Sequence, residues 1–298
     1  MSSPAALLLS RQLIVVTGKG GVGKTTLTAL LGRALAARGR RVLLLETDPR
    51  ESLHQLLGTE PSGGRLLEAG PGLWFQNLDP RAVVEGLVRE KIPVAAIARR
   101  VIASPLFQHF AAGAPGLKEM ATLGHALRAV RGPGRPRLDV VVLDAPATGH
   151  GVSMLNAPLL LEDAVRGGEL GAMAAELAAW IADPAHCAVA IATVAEELPV
   201  QEATELIGLL RREPAVVVVN ALYPPLPRPL PAERGDLAPF IDRWRRRREL
   251  NERELRRLRA AWRGPMLALP LLPLPRGPAL LDGLGAVFER ELAGVPIS

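Results

Sequence analysis

The feature that most constrains the fold is a short apolar run that leads through a glycine-rich loop into a helical pattern. Residues Gln12–Thr17 (QLIVVT) form a predicted strand. Residues 18–25 (GKGGVGKT) follow with the G-x-x-x-x-G-K-T spacing of a phosphate-binding loop. In such a loop, successive backbone N–H groups turn toward phosphate oxygens, and the N-terminus of the next helix adds its positive end. The segment therefore predicts an α/β protein with a nucleotide phosphate site.

The same alternation of apolar strands and helical patterns continues along the chain. It predicts a doubly wound, mainly parallel sheet with helices on both faces, and ligands at the carboxyl ends of its strands. We expect a single domain over residues 1–298, with helical segments at about 79–130 and 153–182 as a subdomain. The predicted strands are Gln12–Thr17, Arg41–Glu46, Leu138–Leu143, Ala188–Thr193, Ala215–Asn220 and Met266–Leu269, and the predicted helices include Lys24–Arg38, Pro80–Arg100 and Leu117–Val130.

Composition limits the possible compartments and partners. Apolar residues make up 48% of the chain, but charges interrupt them before any segment is long enough to cross a bilayer. Cys187 is the single cysteine, which excludes an internal disulfide, and the N-terminus lacks the basic region of a signal peptide. We therefore expect a cytoplasmic protein. The net charge of +6 fits either an arginine-rich composition or a basic binding surface.

Lysine is rare, since only Lys19, Lys24, Lys91 and Lys118 occur in 298 residues. Two of the four lie in the glycine loop. Lys24 is predicted to reach the β- and γ-phosphates of ATP, and Thr25 is predicted to bind Mg²⁺. The predicted nucleotide-binding residues of the loop are Gly18, Gly20, Gly21, Val22, Gly23, Lys24, Thr25 and Thr26.

The octapeptide KGGVGKTT (residues 19–26) resembles the deviant phosphate loops of nitrogenase iron protein, the partition ATPases and the ArsA-type ATPases. In that family the first lysine reaches across a nucleotide-sandwich dimer to the phosphates of the partner. The resemblance implies that Lys19 acts in trans, as an arginine finger does elsewhere, in a homodimer or a heterodimer with a related ATPase subunit. The alternative is a lysine that lines its own loop.

Residues 43–58 (LLLETDPRESLHQLLG) resemble switch I of the ArsA-type ATPases, where an Asp-Pro pair opens the motif. The Ala-His that often follows in that family is replaced by Arg50-Glu51. The resemblance implies that Asp48 is catalytic and orients the attacking water. A turn or helix-capping role is the alternative for Asp48.

Residues 140–151 (VVVLDAPATGHG) resemble switch II of the same ATPases, with two alanines in place of threonines. The resemblance implies that Asp144 binds Mg²⁺ through a water molecule and that residues 148–150 (Thr148, Gly149 and His150) belong to the moving part of the switch. Asn220 ends the run AVVVVN and matches the position that reads adenine. Residues 269–281 resemble the segment that closes over the base.

The resemblance covers nearly the whole chain, which is identified as a member of the ArsA-type family. It implies a Mg²⁺-dependent ATPase that alternates between open and closed dimers to handle a protein client or drive a membrane partner. Ala238 and Ile241 align with the zinc-binding cysteines of tail-anchored-protein targeting ATPases, so no interfacial zinc is expected. The single cysteine also disfavours arsenite binding and a shared iron–sulfur cluster.

Two segments leave their role open. Residues 242–264 read as an amphipathic helix rich in arginine, which either is solvated or contacts DNA, anionic lipid or an acidic partner. Residues 153–182 read as core helices or as a small apolar groove formed on dimerisation. A partition-type ATPase that acts on DNA or a membrane surface is therefore the alternative function, with nucleic acid the less favoured partner. A small-molecule kinase or synthetase is a third possibility.

Overall fold

The computed structural model describes residues 6–114, 116–134, 136–146, 150–164, 167–210, 214–226 and 236–292. These residues form an eight-stranded sheet with the strand order β3-β4-β2-β5-β1-β6-β7-β8. All neighbouring strands are parallel except β3 and β4, which are antiparallel. The strands are β1 (Leu13–Thr17), β2 (Val42–Glu46), β3 (Leu67–Gly70), β4 (Leu73–Asn77), β5 (Val140–Asp144), β6 (Cys187–Val194), β7 (Val216–Leu222) and β8 (Met266–Pro270).

Helices cover both faces of the sheet, as the doubly wound prediction requires. The helices are α1 (Ala6–Leu9), α2 (Lys24–Ala36), α3 (Leu53–Leu57), α4 (Pro80–Lys91), α5 (Ala95–Ala103), α6 (Pro105–Gly113), α7 (Leu117–Arg131), α8 (His150–Ala164), α9 (Gly168–Ala182), α10 (Glu197–Leu209), α11 (Ala238–Ala261) and α12 (Pro278–Leu292). One core joins the sheet to α1, α2, α3 and α12, and the other joins it to α7, α8, α9, α10 and α11.

The central strands are continuous apolar runs because both of their faces are buried. Side chains alternate between the two cores along β1: Ile14 and Val16 belong to the α2 side, and Leu13 and Val15 belong to the α7 side. The strand β1 lies between β5 and β6. The loop that follows β1 therefore emerges at the centre of the sheet, beside the ends of its neighbours.

The predicted helix Pro80–Arg100 is wrong as a single element. The structure ends α4 at Lys91 and begins α5 at Ala95. The break lies at Pro93, because the residue before a proline is driven out of the helical region, and Ile92 has φ −111° and ψ 93°. The six predicted strands are confirmed with ends shifted by up to two residues, whereas the edge strand β3 and its neighbour β4 were not predicted.

In the described ranges, none of the helices combines the length and the apolar character that a membrane span needs.

Candidate functional site

The glycine loop occupies residues 18–23 and connects the end of β1 to the first turn of α2. The ammonium group of Lys24 donates a hydrogen bond to the carbonyl of Lys19 at 3.0 Å, so the side chain folds back along the loop. Lys24 is buried, and burial lowers the pKa of its amine, while the nearby Asp144 and Asp48 act in the opposite direction. The loop thus encloses a partly desolvated cation, as a phosphate site requires.

Two positions of the loop accept only glycine. Gly23 has φ +94°, and a Cβ atom there would overlap the Asn220 side-chain amide. Gly18 has φ +145°, and a Cβ atom there would overlap the carbonyl oxygen of Ala192. The loop is therefore pressed against the ends of β6 and β7, which places its backbone N–H groups at the carboxyl edge of the sheet.

Thr25 and Asp144 meet at the centre of this edge. The hydroxyl of Thr25 donates to Oδ2 of Asp144 at 2.6 Å, while Asp144 ends β5 and is paired in register with Val16 of β1. Burial raises the pKa of the Asp144 carboxyl to about 7, with the neighbouring Glu46 and Asp48 adding to the rise. Oδ1 of Asp144 is buried, and no hydrogen bond reaches it from the residues that the structure describes.

These two side chains fit the predicted magnesium ion, with Thr25 as a ligand and Asp144 bound to it through a water molecule. A hydroxyl and a carboxylate are the oxygen ligands that Mg²⁺ prefers, and Mg²⁺ retains several of its water molecules. The unused Oδ1 of Asp144 is a buried acceptor for such a water. The structure thus brings together Thr25 and Asp144, the two residues that the sequence indicated for the metal.

Glu46 is a buried acid at this edge of the sheet that the sequence analysis did not single out. It ends β2, is paired in register with Asp144, and is 2% exposed. Its carboxylate accepts hydrogen bonds from the Ser52 backbone N–H at 3.0 Å, the Ser52 hydroxyl at 2.6 Å and the Leu53 N–H at 3.2 Å. Glu46 therefore fixes both ends of the segment that carries Asp48. Its position as an acid closing an apolar strand was the available signal.

Asp48 lies at the same edge but faces solvent. Its Oδ1 accepts a hydrogen bond from the Arg50 N–H at 2.9 Å, which is a turn contact within the switch I segment. Its carbonyl oxygen accepts from the Asn77 side-chain amide at 2.6 Å, which ties the segment to the end of β4. The turn role considered for Asp48 is therefore present, and the carboxylate is left at the open side of the loop.

The remaining predicted residues surround the loop. Asn220 ends the apolar run AVVVVN and lies within β7. Its side-chain amide donates a hydrogen bond to the carbonyl of Val22 at 3.1 Å. Lys19 points away from Lys24 and forms an ion pair with Glu202 of α10. Gly20 and Gly21 are exposed at the tip, and Thr26 is half-buried in α2.

The tip of the predicted switch II comprises residues 148–150. Thr148 and Gly149 lie outside the described residues, as does the side chain of His150 at the start of α8.

Known proteins resemble this chain in sequence. Residues 11–173 match the family model of the anion-transporting ATPases, called the ArsA ATPases. The chain is 31% identical to ATPase BagA of Mycobacterium tuberculosis over 206 residues, which are 66% of this chain and 60% of that relative. It is 30% identical to ATPase get3 of Schizosaccharomyces japonicus over 160 residues, or 52% of this chain and 47% of that relative. The matches thus span about 60% or less of these relatives' own lengths.

Proposed function

Because this chain belongs to the anion-transporting ATPase family, we propose that it binds ATP at its glycine loop and hydrolyses it with Mg²⁺. The observation that carries the proposal is the hydrogen bond between Thr25, which follows Lys24 in the chain, and Asp144. It places the Thr25 hydroxyl next to a carboxylate whose other oxygen, Oδ1, is a buried acceptor. In phosphoryl transfer the protein contributes mainly positioning and charge stabilisation. A rigid loop flanked by carboxylates at the strand ends supplies both.

The proposed roles follow from the positions of the side chains. Lys24 stabilises the charge of the β- and γ-phosphates, and the loop N–H groups bind the same oxygens. Thr25 and Asp144 hold Mg²⁺, which when bound neutralises charge on the leaving phosphates. Asp48, exposed at the open side, accepts a hydrogen bond from the attacking water and orients it. Asn220 orients adenine beside the loop that it already contacts.

Dimerisation is part of the proposed mechanism. Lys19 is 45% exposed in its side chain and reaches outward from the loop, so a second subunit can receive it. We propose a homodimer, or a heterodimer with a related ATPase subunit, that closes around two nucleotides and opens after hydrolysis. The proposal sets this cycle in the cytoplasm, where ATP is supplied.

A protein client or a membrane partner is the proposed recipient of the motion. Apolar side chains are exposed at α5 and α6: Val94, which precedes α5, and Ile97 are each 53% exposed, and Leu106 is 82% exposed. A cavity of about 450 Å³ lies between α4, α7 and both switch segments, with Thr47, Pro146 and Ala111 of α6 in its wall. The switch segments and α6, the helix that carries Leu106, therefore line the same cavity.

The first test is ATP turnover of the purified protein as a function of its own concentration, with light scattering on the same samples. We expect specific activity to rise with concentration together with an ATP-dependent increase in mass. Asp48→Asn should retain ATP binding and lose turnover, whereas Lys24→Ala should lose binding. Full turnover by Asp48→Asn would exclude the proposed water-positioning role.

A second candidate is an ATPase that acts on DNA or a membrane surface through α11. The structure confirms that the segment is helical, and it exposes Arg246, Arg253, Arg256 and Arg259 while Leu258 and Trp262 are buried. Arginines on one exposed helix surface bind polyanions in a strongly salt-dependent way. Retention on a DNA fragment at low salt, lost in a variant with these arginines replaced by glutamine, would favour this function. Absence of retention would leave the client function.

A further inference from the structure

The ion pair between Lys19 and Glu202 conflicts with the proposed role of Lys19 in trans. Nζ of Lys19 donates to Oε1 of Glu202, a residue on α10 of the same chain. An ammonium group held on its own α10 cannot simultaneously contact a phosphate bound by a partner. The side chains are 45% and 26% exposed, so the pair lies at the surface and can be broken without opening the core.

The helix α10 presents an unusual outer face beside this ion pair. Leu198, Glu202, Glu205 and Leu209 follow one another at spacings of four, three and four residues, which places them on one side of a helix. Leu198 is 67% exposed and Leu209 is 64% exposed. A cavity of about 230 Å³ separates this face from the loop, with Gly18 and Lys19 in its wall.

We propose that Glu202 is a positioning residue that holds Lys19 within its own subunit until a second copy of the chain covers the outer face of α10. The inference rests on the proposed function, and it identifies the Glu202 carboxylate as the partner of the Lys19 ammonium group in the open state. Closure exchanges the Glu202 carboxylate for phosphate oxygens of the partner site. Each closed dimer therefore breaks two such ion pairs, one in each subunit.

A second copy is the occupant that this surface favours. Lys19 must leave toward the partner, and α10 lies on the side of the loop toward which Lys19 already points. The exposed leucines at the two ends of the face provide apolar area that a partner can cover. The outer face of α10 thus lies next to Lys19, the group that the proposed hydrolysis brings into contact with a second subunit.

The contact itself can be tested in the monomer, without nucleotide. The chain has four lysines, so brief acetylation followed by peptide mass spectrometry reads Lys19 directly, with Lys91 and Lys118 as internal references. Glu202→Gln should raise the labelling rate of Lys19 by about 1.4- to 5-fold, the range for loss of an exposed ion pair. The matched control is Glu205→Gln, one turn away, where the carboxylate accepts from Gln201 instead. Equal labelling of Lys19 in Glu202→Gln and the parent protein would overturn the proposal.

The consequence is tested on the dimer. In the hydrolysis-deficient Asp48→Asn background with ATP and Mg²⁺, adding Glu202→Gln should lower the dimer Kd by about 2- to 30-fold, because two ion pairs no longer oppose closure. High salt should shrink this difference, and Glu205→Gln should not produce it. An unchanged or higher Kd for Glu202→Gln overturns the latch while leaving ATP hydrolysis intact. If the Asp48→Asn protein forms no dimer with ATP, the proposed function fails and the latch with it.

Discussion

Glu46→Gln should loosen the switch I segment that carries Asp48 without removing any group proposed to contact ATP. The Glu46 carboxylate accepts from three donors, which are the backbone N–H groups of Ser52 and Leu53 and the Ser52 hydroxyl. Glutamine retains one carbonyl oxygen but turns an NH₂ group toward donors that need an acceptor. The change therefore affects the attachment of the segment and leaves its own residues in place.

The size of the effect follows from these contacts. A hydrogen bond to a charged acceptor contributes about 1.5–3 kcal/mol, against about 0.5–1.5 kcal/mol for a neutral one, and a buried donor left unpaired costs about 1–3 kcal/mol. Removing the charge also relieves repulsion with Asp144, its register partner on β5, which offsets part of the loss. We therefore expect the segment to be destabilised by roughly 1–3 kcal/mol.

Hydrogen exchange with mass spectrometry measures this loosening locally. Amides in the peptide that covers residues 47–57 should exchange about 5- to 150-fold faster in Glu46→Gln, the range that corresponds to roughly 1–3 kcal/mol. The control is Glu51→Gln. Glu51 accepts hydrogen bonds from the N–H groups of Ser62 and Gly63, so this substitution should accelerate exchange at those two amides instead. Unchanged exchange at residues 47–57 together with unchanged ATP turnover would refute the anchoring role of Glu46.

Two further predictions concern other parts of the molecule. Asn220→Ala should weaken ATP binding by roughly 2- to 13-fold, the value of one neutral hydrogen bond, while turnover at saturation stays near normal; titration with a fluorescent nucleotide and steady-state kinetics separate the two effects. His125 is hydrogen-bonded to Gln76 at 3.0 Å, and burial, with the charge of Arg128, lowers its pKa to about 4. Its neutral form is favoured in the folded state, so this stability is complete above pH 6.5 and declines as pH falls toward 4, by up to about 3 kcal/mol. Urea denaturation at pH 7 and pH 5 should show a larger loss for the parent protein than for His125→Gln, and parallel losses would contradict the assignment.

The glycine loop was predictable because its parts are neighbours in the chain. A strand, a loop with defined glycine spacing and a helix that begins at Lys24 need no distant contact to be recognised. The meeting of Thr25 and Asp144 joins residues far apart in the chain, yet it was predictable because the carboxyl ends of adjacent parallel strands share one edge. Local pattern and the general rule of parallel sheets thus account for the centre of the site.

The edge of the sheet was not predictable from the same signals. The strand β3 (LEAG) contains no buried residue, and in β4 (LWFQN) only Leu73 and Phe75 are buried while the strand ends in two polar residues. Such strands lack the continuous apolar run that identifies the central ones. The anchoring role of Glu46 was not predicted for another reason, since a glutamate at a strand end is ordinarily solvated. Only the donors of Ser52 and Leu53 and the adjacent β5 make its burial possible.

The structure divides the site into a part held by buried contacts and an exposed part, and under the proposed function this division bears on how hydrolysis is controlled. Lys24, Thr25 and Asp144 are held by strand register and by hydrogen bonds to one another or to the loop backbone. Lys19 and Asp48 are exposed, and their contacts are an ion pair and a turn at the surface. Under the proposed function, nucleotide binding therefore requires little rearrangement, whereas hydrolysis requires the two exposed groups to be placed. Because approach of a second subunit is what would place Lys19 in the proposed mechanism, we expect ATP binding by the single subunit and ATP turnover by the pair.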